Sequence, residues 1–198
     1  MLSYFMSFSW LKRQFFATFP VVGPHTHIES DLMLAGKKPL TWVYVARDDE
    51  PETIESRGRK RLDEAVTDGR LLAVDVVQRY SDDPENVSVF RHYAQLDQEE
   101  NLKRVATFNK CAFNQEDCSE AEAALDAGKD FGDYLGYRKR DILFFNYVIN
   151  SGWLPDRVKM GLIRLNSVCQ NHLRDQLLED AGYDVDEWYK NLPSPNAD

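Results

Sequence analysis

The feature that most constrains this chain is a change of hydrophobic period partway along it. Between Leu40 and Ala94 the apolar residues come in short β-branched and aromatic runs bounded by Gly, Pro, Asn and Asp, whereas from Asp97 onward they recur at intervals of three and four. The first pattern suits strands, whose side chains alternate between two faces, and the second suits helices, where residues three and four apart share a face. A chain that switches from one to the other is expected to fold as a small sheet followed by a helical half, the α+β class. Its 198 residues suffice to close a core without disulfides or metals, since a single domain usually takes roughly 100–200.

Leu40-Thr41-Trp42-Val43-Tyr44-Val45-Ala46 is the clearest strand. Asp48-Asp49-Glu50-Pro51 then has the acids and the proline of a first helical turn. The spacing of Ile54, Leu62, Ala65 and Val66 carries that helix to about Asp68, with Gly69 as its stop. Leu71 to Tyr80 reads as a second strand, and inside it Asp75 stands among apolar neighbours. Burial would raise the pKa of Asp75; exposure at a sheet edge is the simpler account. After a turn at Ser81-Asp82-Asp83-Pro84-Glu85-Asn86, the run Val87-Ser88-Val89-Phe90 favours a third strand to Ala94 over a helix capped by Asp83. The expected sheet has about three antiparallel strands and one inserted helix.

In the second half, Leu102, Val105 and Ala106 fit one helix, and Ser119 to Leu135 a second opened by a capping box of Ser119 with Glu122. Asp141 to Asn150 carries Ile142, Leu143, Phe145 and Val148. The longest helix is expected from Pro155 to Ala181, where Val158, Leu162, Leu165, Val168, Cys169, Leu173 and Leu177 draw one stripe and Gly182 ends it. By contrast, His25 to Leu34 is short and mixed, and Ala35-Gly36-Lys37-Lys38-Pro39 reads as a turn. The expected organisation is an aromatic helix or arm over 1–22, a single α+β domain over 23–190 and a disordered tail over 191–198.

Charge and cysteine usage narrow the function classes. With 33 acids against 24 bases the net charge is −9, which argues against non-specific coating of nucleic acid, an affinity that comes from Lys and Arg. Two local basic clusters remain, Arg57, Arg59, Lys60 and Arg61, and then Arg138, Lys139 and Arg140. No run of about 18 apolar residues occurs, so no transmembrane segment is expected. Cys111, Cys118 and Cys169 are an odd, sparse set that fits reduced structural thiols in a cytoplasm. Near the beginning, Lys12 and Arg13 interrupt a run of large apolar residues and Ala17-Thr18-Phe19-Pro20 is a poor cleavage site, unlike a signal peptide. Phe5, Phe8, Trp10, Phe15 and Phe16 are the candidate interface residues of that segment, packing on the domain, on a partner or on a membrane surface.

Two constellations could carry chemistry. His25-Thr26-His27, followed by Ser30-Asp31, resembles the metal-binding start of amidohydrolases and of the polymerase-and-histidinol-phosphatase family. On a strand, residues two apart point the same way, so His25 and His27 could reach one metal. Those families are barrels that use several further histidines and acids, and this chain offers only His92 and His172. Phe131-Gly132-Asp133-Tyr134-Leu135-Gly136-Tyr137-Arg138-Lys139-Arg140-Asp141-Ile142 resembles a helix-turn-helix: a small residue at Gly132, a turn glycine at Gly136, and flanking Leu135, Tyr137 and Ile142. In a DNA-binding version, Arg138, Lys139 and Arg140 would open the second helix and meet phosphates and base edges. A structural helical corner asks for the same residues.

Nucleophilic signatures are missing: there is no Gly-x-Ser-x-Gly elbow, phosphate-cradling glycine loop or His-Glu-x-x-His. Asp48, Asp49, Glu50 and Glu52 could hold Mg²⁺ or act as a base, although a helix start already accounts for them. No cofactor is implied. The leading expectation is a non-enzymatic accessory protein acting through a protein–protein surface, with a protein partner or a second copy covering surplus apolar area. A DNA-binding regulator using Arg138–Arg140 and a metal-dependent hydrolase at His25 and His27 are the alternatives.

Overall fold

The computed structural model describes residues 25, 27–45, 53–80, 83–114, 117–123, 125, 131–146 and 154–192. A six-residue helix, α1 (Glu29–Leu34), precedes the first strand, β1 (Leu40–Tyr44). Helix α2 (Ile54–Thr67) joins β1 to a hairpin of β2 (Leu71–Tyr80) and β3 (Asp83–Gln95). The sheet is antiparallel in the order β1-β3-β2. Leu40 lies opposite Ala94 and Tyr44 opposite Phe90, while Leu71 meets Gln95 and Val76 meets Phe90. The expected α+β architecture, three strands with one inserted helix and a helical second half, is the one observed.

Alternation along the strands assigns each residue to a face. One face gathers Leu40, Ala94, Leu102, Val105, Tyr134 and Leu135, under helix α3 (Glu99–Phe113) and the short helix α5 (Phe131–Tyr134). The other gathers Met33, Leu62, Ala65, Leu71 and Tyr93, under α1 and α2. Both faces of the sheet are therefore covered, which explains why its strands read as near-continuous apolar runs.

The element boundaries differ from the expectation where local hydrogen bonding decides them. Helix α2 begins at Ile54, not at Pro51, because Thr53 and Ser56 form a reciprocal capping box: the Ser56 amide donates to Thr53 Oγ1 at 3.0 Å and the Thr53 amide to Ser56 Oγ at 2.8 Å. The residues 46–52 lie outside those described. In place of one helix from Ser119 to Leu135 there are α4 (Ser119–Ala123) and α5, with Leu125 in a bend. The expected Ser119–Glu122 box gives way to Asp117, which accepts from both the Ser119 amide and its hydroxyl. Asp75 is exposed on the edge strand β2, and its carboxyl is held below the usual range, not above it. Arg91 on β3 donates to it twice, at 2.6 and 2.7 Å, and this outweighs the desolvation.

The next helix is α6 (Lys139–Phe144); residues 147–150 of the expected segment lie outside those described. The long helix α7 (Asp156–Asp180) is 25 residues, about 37 Å at 1.5 Å per residue. Gly182 ends it at φ +88°, with the Tyr183 amide on the Leu178 carbonyl and the Gly182 amide on that of Glu179. This pair of bonds satisfies carbonyls that the helix leaves open, and its left-handed residue is cheap only for glycine. A last helix, α8 (Val185–Lys190), is capped by Asp184, which accepts from the Glu187 amide at 2.9 Å. The fully buried Leu178 packs with Ile28 and Leu32, with Trp188 against them. Among the described residues, no helix is long and apolar enough to cross a membrane.

Candidate functional site

Lys38, in the stretch read as a turn, is only 1% exposed. Its Nζ lies 2.8 Å from Glu29 Oε2, 2.7 Å from the Leu135 carbonyl and 2.9 Å from His25 Nδ1. It also stands over the ring of Tyr137, 4.5 Å from the centroid. The Glu29 carboxylate favours the ammonium form of Lys38, whose three protons can serve all three neighbours. Glu29 takes a second hydrogen bond from Thr41 and one from the Tyr137 hydroxyl. Burial pushes the Lys38 pKa down, and the Glu29 carboxylate resists that shift. A buried charge is tolerable only when paired and fully hydrogen-bonded, and this one is.

His25 is the second buried member. Burial first, then Lys38 and Arg138, lower its pKa to about 2, so it is neutral at any physiological pH. Because Nδ1 accepts from Lys38, the proton of the neutral ring sits on Nε2. The ring packs on Tyr137 at 4.9 Å between centroids. His27, two residues on, has a different setting. It is exposed in a left-handed conformation at φ +69°, and its Nδ1 lies 2.6 Å from Glu55 on α2. Both histidines stand in a turn before α1 instead of on a strand, so the alternation that would aim them at one metal does not apply. Among the described residues, no group of three or more His, Cys, Asp or Glu side chains is placed to hold a metal ion.

The corner from Phe131 to Ile142 forms as its glycines predict. A Cβ on Gly132 would come within 2.7 Å of Ile142, which shows how closely the two helices cross. Gly136 makes the turn at φ +72°, and a Cβ there would meet Pro39 at 2.7 Å. The corner therefore docks its turn onto the residues just before β1. Arg138, at the start of α6, donates from Nε and Nη2 to the buried Asp141 at 2.6 and 2.8 Å. Lys139 reaches Asp133 at 3.2 Å. Arg140 is exposed on α6. Arg138 and Lys139 are thus committed to neighbouring carboxylates.

A surface that sequence reasoning foresaw only in outline lies on α7. Its stripe is buried at Cys169 and Leu173, yet Val158 and Leu165 on it are 47 and 42% exposed. Toward the amino end of the helix this face is half-exposed, although Leu162 is partly buried and Asn166 buried. Exposed Arg157 and Arg164 flank the apolar residues there, and among the described residues nothing lies within 4 Å of a Cβ built on Gly161. The expected interface residues Phe5, Phe8, Trp10, Phe15 and Phe16 lie outside the described residues. Of the three cysteines, Cys169 is buried and Cys111 and Cys118 are partly exposed.

Comparison with known proteins gives this chain no relatives: no family matches it, and no curated protein or solved structure does.

Proposed function

We propose that the protein is a non-enzymatic interaction module whose docking surface is the amino half of α7, and whose partner is an amphipathic helix bearing carboxylates. The observation that carries this reading is the change in burial along one helix: the same stripe is sealed at Cys169 and half-exposed at Val158 and Leu165. Residues 158, 161, 162 and 165 follow the three-and-four spacing of a single face, and Gly161 gives a second helix room to approach. Arg157 and Arg164 on the flanks favour an acidic partner over a second copy. Antiparallel self-pairing about Gly161 would set Arg157 beside Arg164 of the other copy, a repulsive arrangement. Covering the exposed portions of Val158 and Leu165 is worth roughly 2–4 kcal/mol, short of the about 8 kcal/mol of a micromolar complex. Charge pairing therefore has to supply much of the rest.

The test is fluorescence anisotropy with two labelled amphipathic helices, one with glutamates and one with lysines around the same leucines. The acidic helix should bind, weaken with added salt, and weaken further on Leu165→Ser. Equal binding of both peptides, or no effect of Leu165→Ser, overturns the reading. Light scattering that finds a dimer dissolved by Leu165→Ser replaces the acidic partner with a second copy.

A second reading, DNA binding through Arg138, Lys139 and Arg140, draws support from the Gly132–Gly136 corner. The pairing of Arg138 with Asp141 and of Lys139 with Asp133 weighs against it. An electrophoretic shift at low salt, lost in Arg138→Ala and Arg140→Ala, would favour it.

A further inference from the structure

Strand β2 is an edge of the sheet, and its outer side is covered at one end only. There Asn114, the residue that closes α3, donates from Nδ2 to the Val77 carbonyl at 3.0 Å and accepts from the Arg79 amide at 2.8 Å. A side-chain amide thus stands in for a neighbouring strand. Main-chain direction alternates along an antiparallel strand, so residues 71, 73, 75, 77 and 79 all turn their backbone groups away from β3. The Val89 carbonyl agrees: opposite Val77, it is bound to the Val45 amide on the β1 side. Nearer the start of β2, the outward amides and carbonyls of Ala73 and Asp75 have no hydrogen-bond partner among the described residues. Ala73, Val74 and Asp75 are all exposed. We infer that this open stretch of β2 is a self-recognition site, pairing antiparallel with the same stretch of a second copy about a two-fold axis at Val74.

The length of the stretch sets the register. Strand β2 begins at Leu71, just after the turn at Gly69, and Asn114 covers its edge from Val77 on. Val74 is the midpoint. About an axis there, Leu71 of one copy stands opposite Val77 of the other, so the incoming strand ends where Asn114 begins. Ala73 then faces Asp75 on both sides of the axis, and each such pair can exchange both of its main-chain hydrogen bonds. Moving the axis to Asp75 would run the partner's strand into Asn114. It would also set the two Asp75 carboxylates directly opposite each other, a destabilising like-charge pair.

The side chains suit this approach. From Leu71 to Val77 there is no proline, lysine or arginine of the kind that blunts an edge strand. Asp75 is the single charged residue of the stretch, and Arg91 neutralises it with two hydrogen bonds. Val74, 39% exposed, would meet its own counterpart at the axis, an apolar cross-strand pair. An unrelated strand would share only the main-chain pattern, whereas a second copy matches length, register and side chains together. The contact is isologous and closes at two copies. It does not involve α7, so it stands apart from the helical partner proposed there.

Sedimentation of the full chain from about 10 µM to about 1 mM should show a monomer–dimer equilibrium with Kd of about 0.1 mM. Main-chain pairing makes it little altered by salt, and Leu165→Ser should leave it in place. Over the same range the amides of Ala73 and Asp75, which face water in the monomer, should gain protection from hydrogen exchange. Val74→Lys and Val74→Glu, on an exposed side chain, should each weaken the dimer at least about tenfold through like charges across the axis. An equimolar mixture of the two variants should restore it. A monomer throughout, species that grow beyond a dimer, a dimer without protection at Ala73 and Asp75, or no recovery in the mixture would overturn the assignment. So would a dimer that is lost in Leu165→Ser and kept in Val74→Lys, which would move the contact to α7.

Discussion

The two halves of α7 have similar sequences and opposite fates. Val158, Leu162 and Leu165 continue the stripe of Cys169, Leu173 and Leu177 along one helix. From Cys169 on, that stripe finds Ile28, Leu32 and Trp188 through Leu177 and Leu178. Before it, large apolar side chains stand half in water. Amphipathicity tells which face of a helix wants cover, but it does not say how far the body extends beneath it. The docked half is a matter of folding. The amino half leaves part of the same stripe in water.

The largest expected effect is on the docked half. Leu178→Ala removes a fully buried side chain from the contact with Ile28 and Leu32 and should cost about 2–5 kcal/mol in chemical denaturation. A cost below about 1 kcal/mol would mean that the half called docked is itself loosely held.

Acid should sharpen the contrast next. His25 and His92 have pKa values lowered to about 2 and about 4, both chiefly by burial. Between pH 6.5 and about 4 the unfolded chain binds a proton at each and the folded protein does not. Stability from these groups is therefore fully present above pH 6.5 and falls as acid is added, by at most about 1.4 kcal/mol per pH unit for each histidine. Hydrogen exchange should show the amides of Leu173 and Leu177, which line a cavity together with His25, losing protection over this window. Stability that is flat from pH 6.5 to 4 would contradict the burial of both rings.

A smaller loss is expected where the docked half ends. Gly182→Ala puts a side chain at φ +88° and should cost about 1–2 kcal/mol, read from the denaturation midpoint. The least effect belongs to the half-exposed stretch of the stripe: Leu165→Ala should change stability by no more than about 0.5 kcal/mol while lowering the binding of a hydrophobic dye. A change near that of Leu178→Ala would make Leu165 part of the core.

Much of this architecture was legible because its signals are local. The β-branched run after Pro39 gave β1, and Gly136 and Gly182 marked turns that they do make; a break after Tyr80 was legible too, but β3 begins at Asp83, inside the stretch 81–86 read as a turn. What escaped depends on partners far along the chain. Helix α1 spans six residues, too few for a period to declare itself, and is held by Leu62, Tyr93 and Leu178 from three distant elements. Nothing local distinguishes Lys38 from Lys37, yet one is buried and the other exposed. The acceptors that make the difference are Glu29, His25 and the carbonyl of Leu135. Asp75 could be placed at an edge, but its lowered pKa required knowing that β3 sets Arg91 opposite it.

The Lys38–Leu135 bond joins residues 97 positions apart, and this separation has a kinetic meaning. An ammonium gives up its hydration only when every replacement acceptor is at hand, so half of the arrangement is worse than none. The early sheet can form while that amine stays wet; the later helices must arrive before it can go dry. Lys38 is thus expected to lose its water late in assembly, once His25, Glu29 and Leu135 are all in place.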